Sequence, residues 1–360
     1  YSFGAHVKCR PPFLRTLGTA MAVATRHLVS GLLVYCYLWP PLCLCFASSS
    51  FFYALNVRND SSQACGSDLN NNHYFAKEIS KNLTIRNGVA CDYTAILNDD
   101  SGIDIASLGE AVLDTTNLKI GGEFVPPNCK PSFSTAVIVP YRDRDKQLKD
   151  FLTYIHMFLG KQNIHYRIYI VEQDDGKPFN RAKLLNIGSV IAIQHGFPCL
   201  VLHDVDLLPL KLKNLYACTK SPRHIAVSVA CRFNLPYKEL FGGAVSLLSE
   251  QFVAANGMSN RYFGWGGEDD DLYQRLREIS LTPVRLEPQV SVYSMMRHQN
   301  QLPSPERKAL LAQASLRYRN VRSLWDIFGL ESIILDVFIP KQADGLKYFL
   351  VPKSNYQKLT

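Results

Sequence analysis

Acidic residues are absent from the start of this 360-residue chain, and charge of either sign is absent from a long stretch within it. Residues 1–59 contain no aspartate or glutamate and hold five of the eight net positive charges. The remaining residues carry a surplus of only three positive charges, so the basic balance does not indicate a nucleic-acid-binding protein. Hydrophobic residues make up 47% of the chain, which excludes a disordered or fibrous protein.

The stretch without Lys, Arg, Asp, Glu or His, residues 28–57, predicts a membrane anchor. It exceeds the roughly 20 apolar residues that a helix needs to cross a bilayer, although Pro40-Pro41 would kink such a helix. Arg15 and Arg26 precede the stretch, which favours a cytosolic N-terminus. A signal peptide cleaved near Ala47 is the alternative, but the apolar region of a signal peptide is usually only about 7–15 residues long.

The polar, weakly periodic segment that follows predicts a stem, and it carries glycosylation sequons at Asn59 and Asn82. Residues 1–20 need not be native, because Met21 opens a more ordinary leader. The sequence thus predicts a cytoplasmic leader, a transmembrane anchor, a lumenal stem, a globular domain and a C-terminal tail, at 1–27, 28–55, 56–120, 121–345 and 346–360.

From Ser134 onward, apolar strands and amphipathic helices alternate. Short apolar or β-branched runs predict strands, and apolar residues spaced three or four apart predict the helices between them. In order, the predicted strand, helix, strand, helix and strand cover 136–139, 146–159, 166–171, 180–194 and 199–203. This alternation predicts an α/β fold with a mostly parallel sheet, in which ligands bind outside the carboxyl ends of the strands.

Asp204-Val205-Asp206 follows the last of these strands and places two carboxylates two residues apart. A hard divalent cation prefers oxygen ligands, commonly one or two carboxylates together with phosphate oxygens. The motif is therefore a candidate metal site. The competing interpretation, which is the more frequent one for an isolated motif of this kind, is an acidic strand end that caps the next turn.

A glycine-rich loop followed by four acids, residues 264–271, is the least ordinary segment of the chain. The helix dipole favours acids in a first helical turn by about 0.3–1 kcal/mol each, and one or two acids would meet that need. Four consecutive acids beside Trp265 favour instead a site for a hydroxyl-rich ligand, with one carboxylate as a base.

Two basic clusters and a histidine lie at the ends of other elements. Residues 140–144, Pro-Tyr-Arg-Asp-Arg, end the first strand, where guanidinium groups can bind an anion. Residues 179–183 open the second helix, where the dipole favours phosphate. Met295 and His298 follow a strand-like segment. Each feature alone is typical of a solvated surface, but together with the acidic motifs they indicate a site for a sugar nucleotide and a metal.

In these motifs the chain resembles the β-1,4-galactosyltransferase family of Golgi type II membrane enzymes. The resemblance runs from about Gly121 to about Phe338 and rests on four motifs in order, at 179–183, 204–206, 241–243 and 264–271. It implies that residues 121–345 form a lumenal catalytic domain of the GT-A fold, behind a single-pass anchor in the Golgi membrane. It also implies Mn²⁺-dependent, inverting transfer of a hexose from a UDP donor to O4 of a terminal N-acetylglucosamine on a glycoprotein or glycolipid.

The resemblance assigns a role to each matching residue. Asp206, Met295 and His298 match the family's manganese ligands, and Asp269, with Glu268 beside it, matches the base that takes the acceptor hydroxyl proton. The implied contacts to the UDP-sugar are Pro140, Tyr141, Arg142, Asp143, Arg144, Phe179, Asn180, Arg181, Asp204, Val205, Asp206, Trp265 and His298. The implied contacts to the acceptor are Tyr237, Gly267, Glu268, Asp269, Asp270 and Arg307.

Leu240 is the departure from the family that bears on the donor. The galactosyltransferases usually carry a tyrosine at this position, whereas the invertebrate N-acetylgalactosaminyltransferases carry a smaller aliphatic residue. A shorter side chain leaves room for an N-acetyl group, so UDP-GalNAc is favoured as donor and UDP-Gal is the alternative. A non-catalytic, lectin-like member and a secreted metal-dependent hydrolase are further alternatives, and the presence of Asp206, Asp269 and His298 disfavours the first.

Six of the ten cysteines lie beyond the predicted anchor, an even number that suits an oxidising compartment. The resemblance implies one disulfide between Cys199 and Cys218. It implies a second one from Cys129, with Cys91 as the favoured partner and Cys65 as the alternative. Cys231 is left without an assigned partner.

Overall fold

The computed structural model describes residues 88–103, 105, 116–119, 121–229, 235–299, 301–320 and 346–349, with the backbone alone for 315–320 and 346–349. The predicted leader and anchor, both sequons, Cys65 and Cys231 lie outside these residues, as do most of the predicted stem and tail. Among the helices described, none combines the length and the hydropathy that a membrane span requires.

Twelve strands and six helices occur in the described part of the chain. The strands are β1 (Leu118–Lys119), β2 (Glu123–Phe124), β3 (Ser134–Tyr141), β4 (His165–Gln173), β5 (Cys199–His203), β6 (Leu207–Pro209), β7 (Arg223–His224), β8 (Ser228–Val229), β9 (Ala244–Leu248), β10 (Val284–Arg285), β11 (Val292–Met295) and β12 (Leu346–Phe349). The helices are α1 (Thr94–Leu97), α2 (Asp145–Gly160), α3 (Arg181–Gln194), α4 (Ser249–Ala254), α5 (Glu268–Glu278) and α6 (Arg307–Asn320).

The five elements predicted from the alternating pattern are confirmed: β3, α2, β4, α3 and β5 begin and end within two residues of their predicted limits. The two-residue period of a strand explains how they pack. Val137 and Val139 of β3 belong to the apolar cluster that contains α2, whereas Ala136 and Ile138 belong to the cluster that contains α3. The domain therefore has helices on both faces of a central sheet.

The prediction of a mostly parallel sheet is wrong for the sheet as a whole, which is mixed. In the described residues its order is β1-β2-β4-β3-β5-β9-β7-β10, with β12 also paired to β4. β3 pairs parallel with β4 and β5 because a helix returns the chain to the same end of the sheet after β3 and again after β4. β9 adds antiparallel to β5, and β7 adds antiparallel to β9. The predicted pattern thus describes only the three central strands.

A second, three-stranded sheet has the order β6-β11-β8. Its middle strand, β11, pairs antiparallel with β6, so that Met295 lies opposite Leu207. Because β6 begins just after the Asp204-Val205-Asp206 motif, this small sheet brings the segment that leads to His298 alongside that motif. The Asp204-Val205-Asp206 motif and the segment that carries Met295 therefore meet at the carboxyl end of β5.

Gly188 allows α3 to lie close to the central strands. A Cβ atom at this position would overlap Ile138 Cγ2 and lie 2.8 Å from Val171 Cγ2. The close approach fixes where the N-terminus of α3 emerges beside the end of β5. The described cysteines form two disulfides, Cys91–Cys129 and Cys199–Cys218, which are the two pairs favoured by the resemblance.

Candidate active site

Asp206 lies at the centre of a cluster of cationic and imidazole groups. Its Oδ2 atom is 2.7 Å from Arg144 Nη1 and 3.0 Å from His298 Nδ1. Burial raises the pKa of this carboxyl, and Asp204 raises it further, while His298 and Arg144 oppose the increase. The structure therefore brings two of the three predicted metal ligands, Asp206 and His298, into direct contact.

Met295, the third predicted ligand, reaches the same place through the backbone. It is the last residue of β11, and the amide of its neighbour Met296 donates to the Asp206 carbonyl at 2.8 Å. The Met295 side chain is partly exposed. The described residues contain no group of three or more His, Cys, Asp or Glu side chains arranged to hold a metal.

The donor set nevertheless fits a divalent cation in part. A carboxylate and an imidazole are common ligands of first-row divalent metals, whereas a thioether is a soft donor and the weakest of the three. Of the three predicted ligands, only Asp206 and His298 belong to the residue types that most often bind metals, which are His, Cys, Asp and Glu. The Arg144 guanidinium that contacts Asp206 Oδ2 shows that this position attracts positive charge.

Arg181 connects the aspartate motif to the acid cluster. Its Nε atom donates to Asp204 Oδ1 at 2.6 Å, and its Nη1 atom is 3.5 Å from Glu268 Oε1. Burial disfavours the charged guanidinium, but the carboxylates of Asp204 and Glu268 outweigh that effect and hold the pKa of Arg181 above its usual value. The side chain that the resemblance assigns to UDP thus also joins two acidic segments that are distant in sequence.

The four acids of the cluster form the first turn of α5 and have different surroundings. Asp271 is buried and accepts from Arg275 Nε at 2.6 Å and from the Tyr262 hydroxyl at 3.1 Å. It therefore stabilises the helix and its packing. Glu268, Asp269 and Asp270 face the region around Arg181 and Tyr237, which separates three candidate functional acids from one structural acid.

Burial raises the pKa values of the three candidate functional acids, and repulsion from Asp269 adds to this effect for Glu268 and Asp270. Burial, followed by the Asp269 charge, raises the pKa of Glu268 to about 7 and that of Asp270 to about 6. Burial also raises the pKa of Asp269, although Arg181 opposes it. Glu268 Oε2 and Asp270 Oδ1 are buried without a hydrogen-bond partner. Unsatisfied buried acceptors of this kind are suited to bind ligand hydroxyls.

Gly242 lies directly against the predicted base. A Cβ atom at Gly242 would be 2.5 Å from Asp269 Oδ2, so only glycine leaves room for the carboxylate in this position. The next residue, Gly243, has a φ of 79° and accepts a hydrogen bond from the Asp204 amide at 2.9 Å. The loop after Phe241 therefore contacts both the aspartate motif and the acid cluster.

Leu240 and Tyr237 occupy the segment just before that loop. The Leu240 amide is 3.4 Å from the Tyr237 carbonyl, and Arg285 Nη2 donates to the Leu240 carbonyl at 2.8 Å. Tyr237 is partly exposed, and burial together with the charges of Asp269 and Asp270 raises its pKa. The predicted selectivity residue and an implied acceptor residue therefore lie on one anchored segment beside the acids.

The basic cluster after β3 divides between the two sides of the site. Arg142 donates to the Lys177 carbonyl at 2.6 Å and lies over the Phe179 ring, with Cζ 5.2 Å from the ring centroid. Arg144 instead contacts Asp206. Asp143 between them has a φ of 50°, in the left-handed region, and this turn points the two arginines to different partners.

Several residues of the implied UDP set have structural partners. Pro140 and Tyr141 end β3, where the Tyr141 hydroxyl donates to the Asp145 carboxylate. Asn180 is the N-cap of α3, and its side chain accepts from the Lys183 amide at 2.9 Å. Val205 is buried in the core. These side chains shape the site from behind.

Trp265 and Arg307 lie together at the exposed edge of the site. The Arg307 guanidinium Cζ is 5.9 Å from the Trp265 ring centroid, and the Ser304 amide donates to the Trp265 carbonyl at 2.9 Å. Trp265 is 55% exposed, so more than half of its surface is accessible to solvent. Gly267, with a φ of 95°, links this loop to α5.

Sequence reasoning missed two contacts of the site. It gave Gly242 no function beyond membership of a motif, and it treated Arg181 as a phosphate ligand with no link to the acids. Neither contact carries a local signal, because the partners, Asp269, Asp204 and Glu268, lie 23–87 residues away from them.

Comparison with known proteins shows that this chain belongs to a class of glycosyltransferases. Residues 98–219 match a family model described as the N-terminal region of glycosyl transferase group 7, and residues 222–299 match one described as the N-terminal domain of galactosyltransferase. The two matches together cover more than half of the chain. The chain belongs to the β-1,4-galactosyltransferase family.

Curated relatives carry the same family name. The chain is 37% identical over 216 residues to β-1,4-galactosyltransferase 2 of Cricetulus griseus, covering 58% of this chain and 57% of the relative. It is 42% identical over 197 residues to β-1,4-galactosyltransferase 3 of Homo sapiens, covering 54% of this chain and 50% of the relative. The match thus spans about half the length of these relatives.

Among solved structures, the catalytic domain of Drosophila β1,4-galactosyltransferase 7 in complex with xylobiose is 29% identical, with a TM-score of 0.45. The alignment covers 50% of this chain and 79% of that one. A mutant of the same enzyme, in complex with manganese, UDP-Gal and xylobiose, is 30% identical with the same TM-score and coverage.

Proposed function

We propose that this chain is a metal-dependent, inverting hexosyltransferase that moves GalNAc or galactose from a UDP donor to O4 of a terminal N-acetylglucosamine on a glycoprotein or glycolipid. We propose further that residues 121–345 form a GT-A catalytic domain. The observation that supports this most is Arg181, which contacts both Asp204 and Glu268. A metal-diphosphate motif and a set of acceptor-binding acids are thereby held within reach of one side chain.

On the donor side, Asp206, His298 and Met295 would hold Mn²⁺. When bound, the cation supplies a Lewis acid that neutralises charge on the leaving diphosphate. Arg142 and Phe179 form a stacked pair at the end of β3, which suits the flat, anionic uridine nucleotide. Arg144 lies instead against Asp206, where it adds a second guanidinium on the metal side of the donor site.

On the acceptor side, Asp269 would act as the base. It takes the proton of the acceptor hydroxyl as that oxygen forms a bond to the anomeric carbon of the donor, and the bond from that carbon to the diphosphate breaks with its electron pair leaving on UDP. The raised pKa of Asp269 strengthens the carboxylate as a base. Glu268 Oε2 and Asp270 Oδ1, which are buried and unpartnered, would accept hydrogen bonds from sugar hydroxyls.

Leu240 supports UDP-GalNAc over UDP-Gal as donor, because its side chain is smaller than a tyrosine and carries no hydroxyl. Its segment is anchored by Arg285 and contacts Tyr237, so a change of side chain volume would act on the pocket beside the acids. A Leu240→Tyr variant is expected to move the preference towards UDP-Gal. Equal use of the two donors by both forms would contradict this assignment.

For the remaining chain we propose a type II topology in the Golgi membrane. The apolar segment 28–55 would anchor the protein, with the basic leader in the cytosol and the catalytic domain in the lumen. Use of the sequons at Asn59 and Asn82 would then add N-glycans. A shift in electrophoretic mobility on enzymatic deglycosylation tests this topology, and glycans that are absent from both sites would oppose it.

The activity itself is tested by incubating the full chain in detergent with each UDP-sugar and an N-acetylglucosamine-terminated acceptor, with and without Mn²⁺. We expect turnover only with metal, and a loss of about 10³-fold in Asp269→Asn. Asp150→Asn, a change at an acid on α2 whose partner is Lys146, is the matched control and should retain activity. Full activity without metal or in Asp269→Asn would contradict the mechanism. Binding of sugar without turnover would favour the lectin-like alternative.

A further inference from the structure

A buried chain of hydrogen bonds runs beneath the proposed metal site and has no part in the chemistry described above. His203 Nδ1 is 2.8 Å from the Asp204 carbonyl, and His203 Nε2 is 2.8 Å from the Tyr216 hydroxyl. The Tyr216 hydroxyl is in turn 2.9 Å from the Tyr293 hydroxyl. All three side chains are fully buried.

The direction of these hydrogen bonds, from donor to acceptor, follows from the Asp204 carbonyl at one end of the series and from the protonation of His203. A carbonyl oxygen only accepts, so His203 Nδ1 carries the proton that is donated to Asp204. Burial lowers the pKa of the His203 imidazole to about 4, so the ring is neutral and Nε2 accepts from the Tyr216 hydroxyl. The Tyr216 oxygen then accepts from the Tyr293 hydroxyl. Each polar atom in the series has a defined role, which makes the arrangement rigid.

The chain of bonds joins the two segments that carry the proposed metal ligands. His203 ends β5 and precedes Asp206 by three residues, whereas Tyr293 belongs to β11 and precedes Met295 by two. Tyr216 lies between them, and its backbone is itself held by Gln162 and Thr135, whose side chains bond to its amide and its carbonyl. Tyr216 is therefore a fixed junction that adds a side-chain link between two segments already joined by the backbone pairing of β6 with β11.

We propose that Tyr216 is a positioning residue that sets the spacing between Asp206 and the Met295–His298 segment, and thereby the affinity of the site for Mn²⁺. This inference rests on the proposed function, because it assigns the network to the metal site of that reaction. Partners that orient metal ligands from behind typically change metal affinity by about 10–100-fold when they are removed.

The test measures Mn²⁺ binding to the full chain in the presence of UDP, from the loss of the free Mn²⁺ signal in electron paramagnetic resonance. Tyr216→Phe is expected to raise the dissociation constant about 10-fold. Tyr166→Phe is the matched control, because Tyr166 is equally buried and its hydroxyl is 3.0 Å from Nδ1 of a buried histidine, His156. It should leave the dissociation constant unchanged. Urea unfolding shows whether the two variants lose similar stability.

Tyr293→Phe provides a second test if Tyr216→Phe fails to fold. It keeps the bond between Tyr216 and His203 and removes the link to β11, together with the hydrogen bond between the Tyr293 hydroxyl and the Asn214 side chain. It should also weaken Mn²⁺ binding, by at least about threefold. Unchanged binding in either folded variant, or equal weakening in Tyr166→Phe, would overturn the inference while leaving the metal site intact. A wild-type chain that binds no Mn²⁺ would instead contradict the proposed metal site, and the inference with it.

Discussion

The contact between Gly242 and Asp269 gives the sharpest prediction about the proposed base. In Gly242→Ala, the added methyl group would lie 2.5 Å from Asp269 Oδ2 and 3.4 Å from Asp269 Cγ. An ordinary carbon–oxygen contact is about 3.4 Å or more, so the carboxylate oxygen must move away by about 1 Å. Gly242 does not have a positive φ, in contrast to Gly243, so alanine strains the backbone only at the second of these positions.

The magnitude follows from this displacement. A misplacement of about 1 Å in a reacting group costs roughly 10²-fold in rate, which corresponds to about 2.7 kcal/mol in the activation barrier. The free energy of unfolding should change by less than about 1 kcal/mol, because alanine also restricts the unfolded chain. We therefore expect kcat to fall about 100-fold while the KM for the donor changes little.

Steady-state transfer assays and urea unfolding on the same preparations measure both quantities. Gly160→Ala is the control, since the atom nearest to a Cβ there is Phe124 Cζ at 4.0 Å, and it should retain wild-type kcat. A folded Gly242→Ala variant whose kcat lies within about threefold of wild type would refute the reasoning, because Asp269 would then tolerate the movement.

Three further predictions concern stability. Gly188→Ala should lower the free energy of unfolding by about 1–3 kcal/mol, because the added methyl group would overpack against β3 and β4. Urea unfolding measures this loss, with Gly160→Ala as the control. An unchanged unfolding midpoint would contradict the close approach of α3 to these strands. Replacing both Cys199 and Cys218 by alanine should cost about 3 kcal/mol in the chain-entropy model, and a loss under about 1 kcal/mol would argue against that account of the bridge. Burial lowers the pKa of His156 to about 3, so its contribution to stability is present above pH 6.5 and is lost as the pH falls towards 3. Between pH 7.5 and 5.5 the free energy of unfolding should fall by about 1.4 kcal/mol through this group. His156→Gln should remove that part of the pH dependence. An identical pH profile in the variant would show that His156 is not buried as a neutral ring.

The spacing of apolar residues along the sequence was sufficient to predict the central elements of the domain. β3, α2, β4, α3 and β5 follow from the two-residue and 3.6-residue periods of apolar side chains, which are local properties. The same pattern placed the Asp204-Val205-Asp206 motif at the end of a buried strand. The partners of the outer strands did not follow, because the antiparallel additions of β7 and β9 depend on pairings between residues far apart in sequence.

The amino-acid sequence by itself determined the family, the order of the central elements and the residue types of the candidate site. Only the tertiary structure decided which of these side chains contact one another: that Arg181 joins Asp204 to Glu268, and that Asp269 depends on the missing side chain of Gly242. The physical reason is that periodicity and motifs record how each segment meets the core. A hydrogen bond or a steric contact depends on distances of a few ångströms between segments whose relative position is fixed by packing of the whole domain.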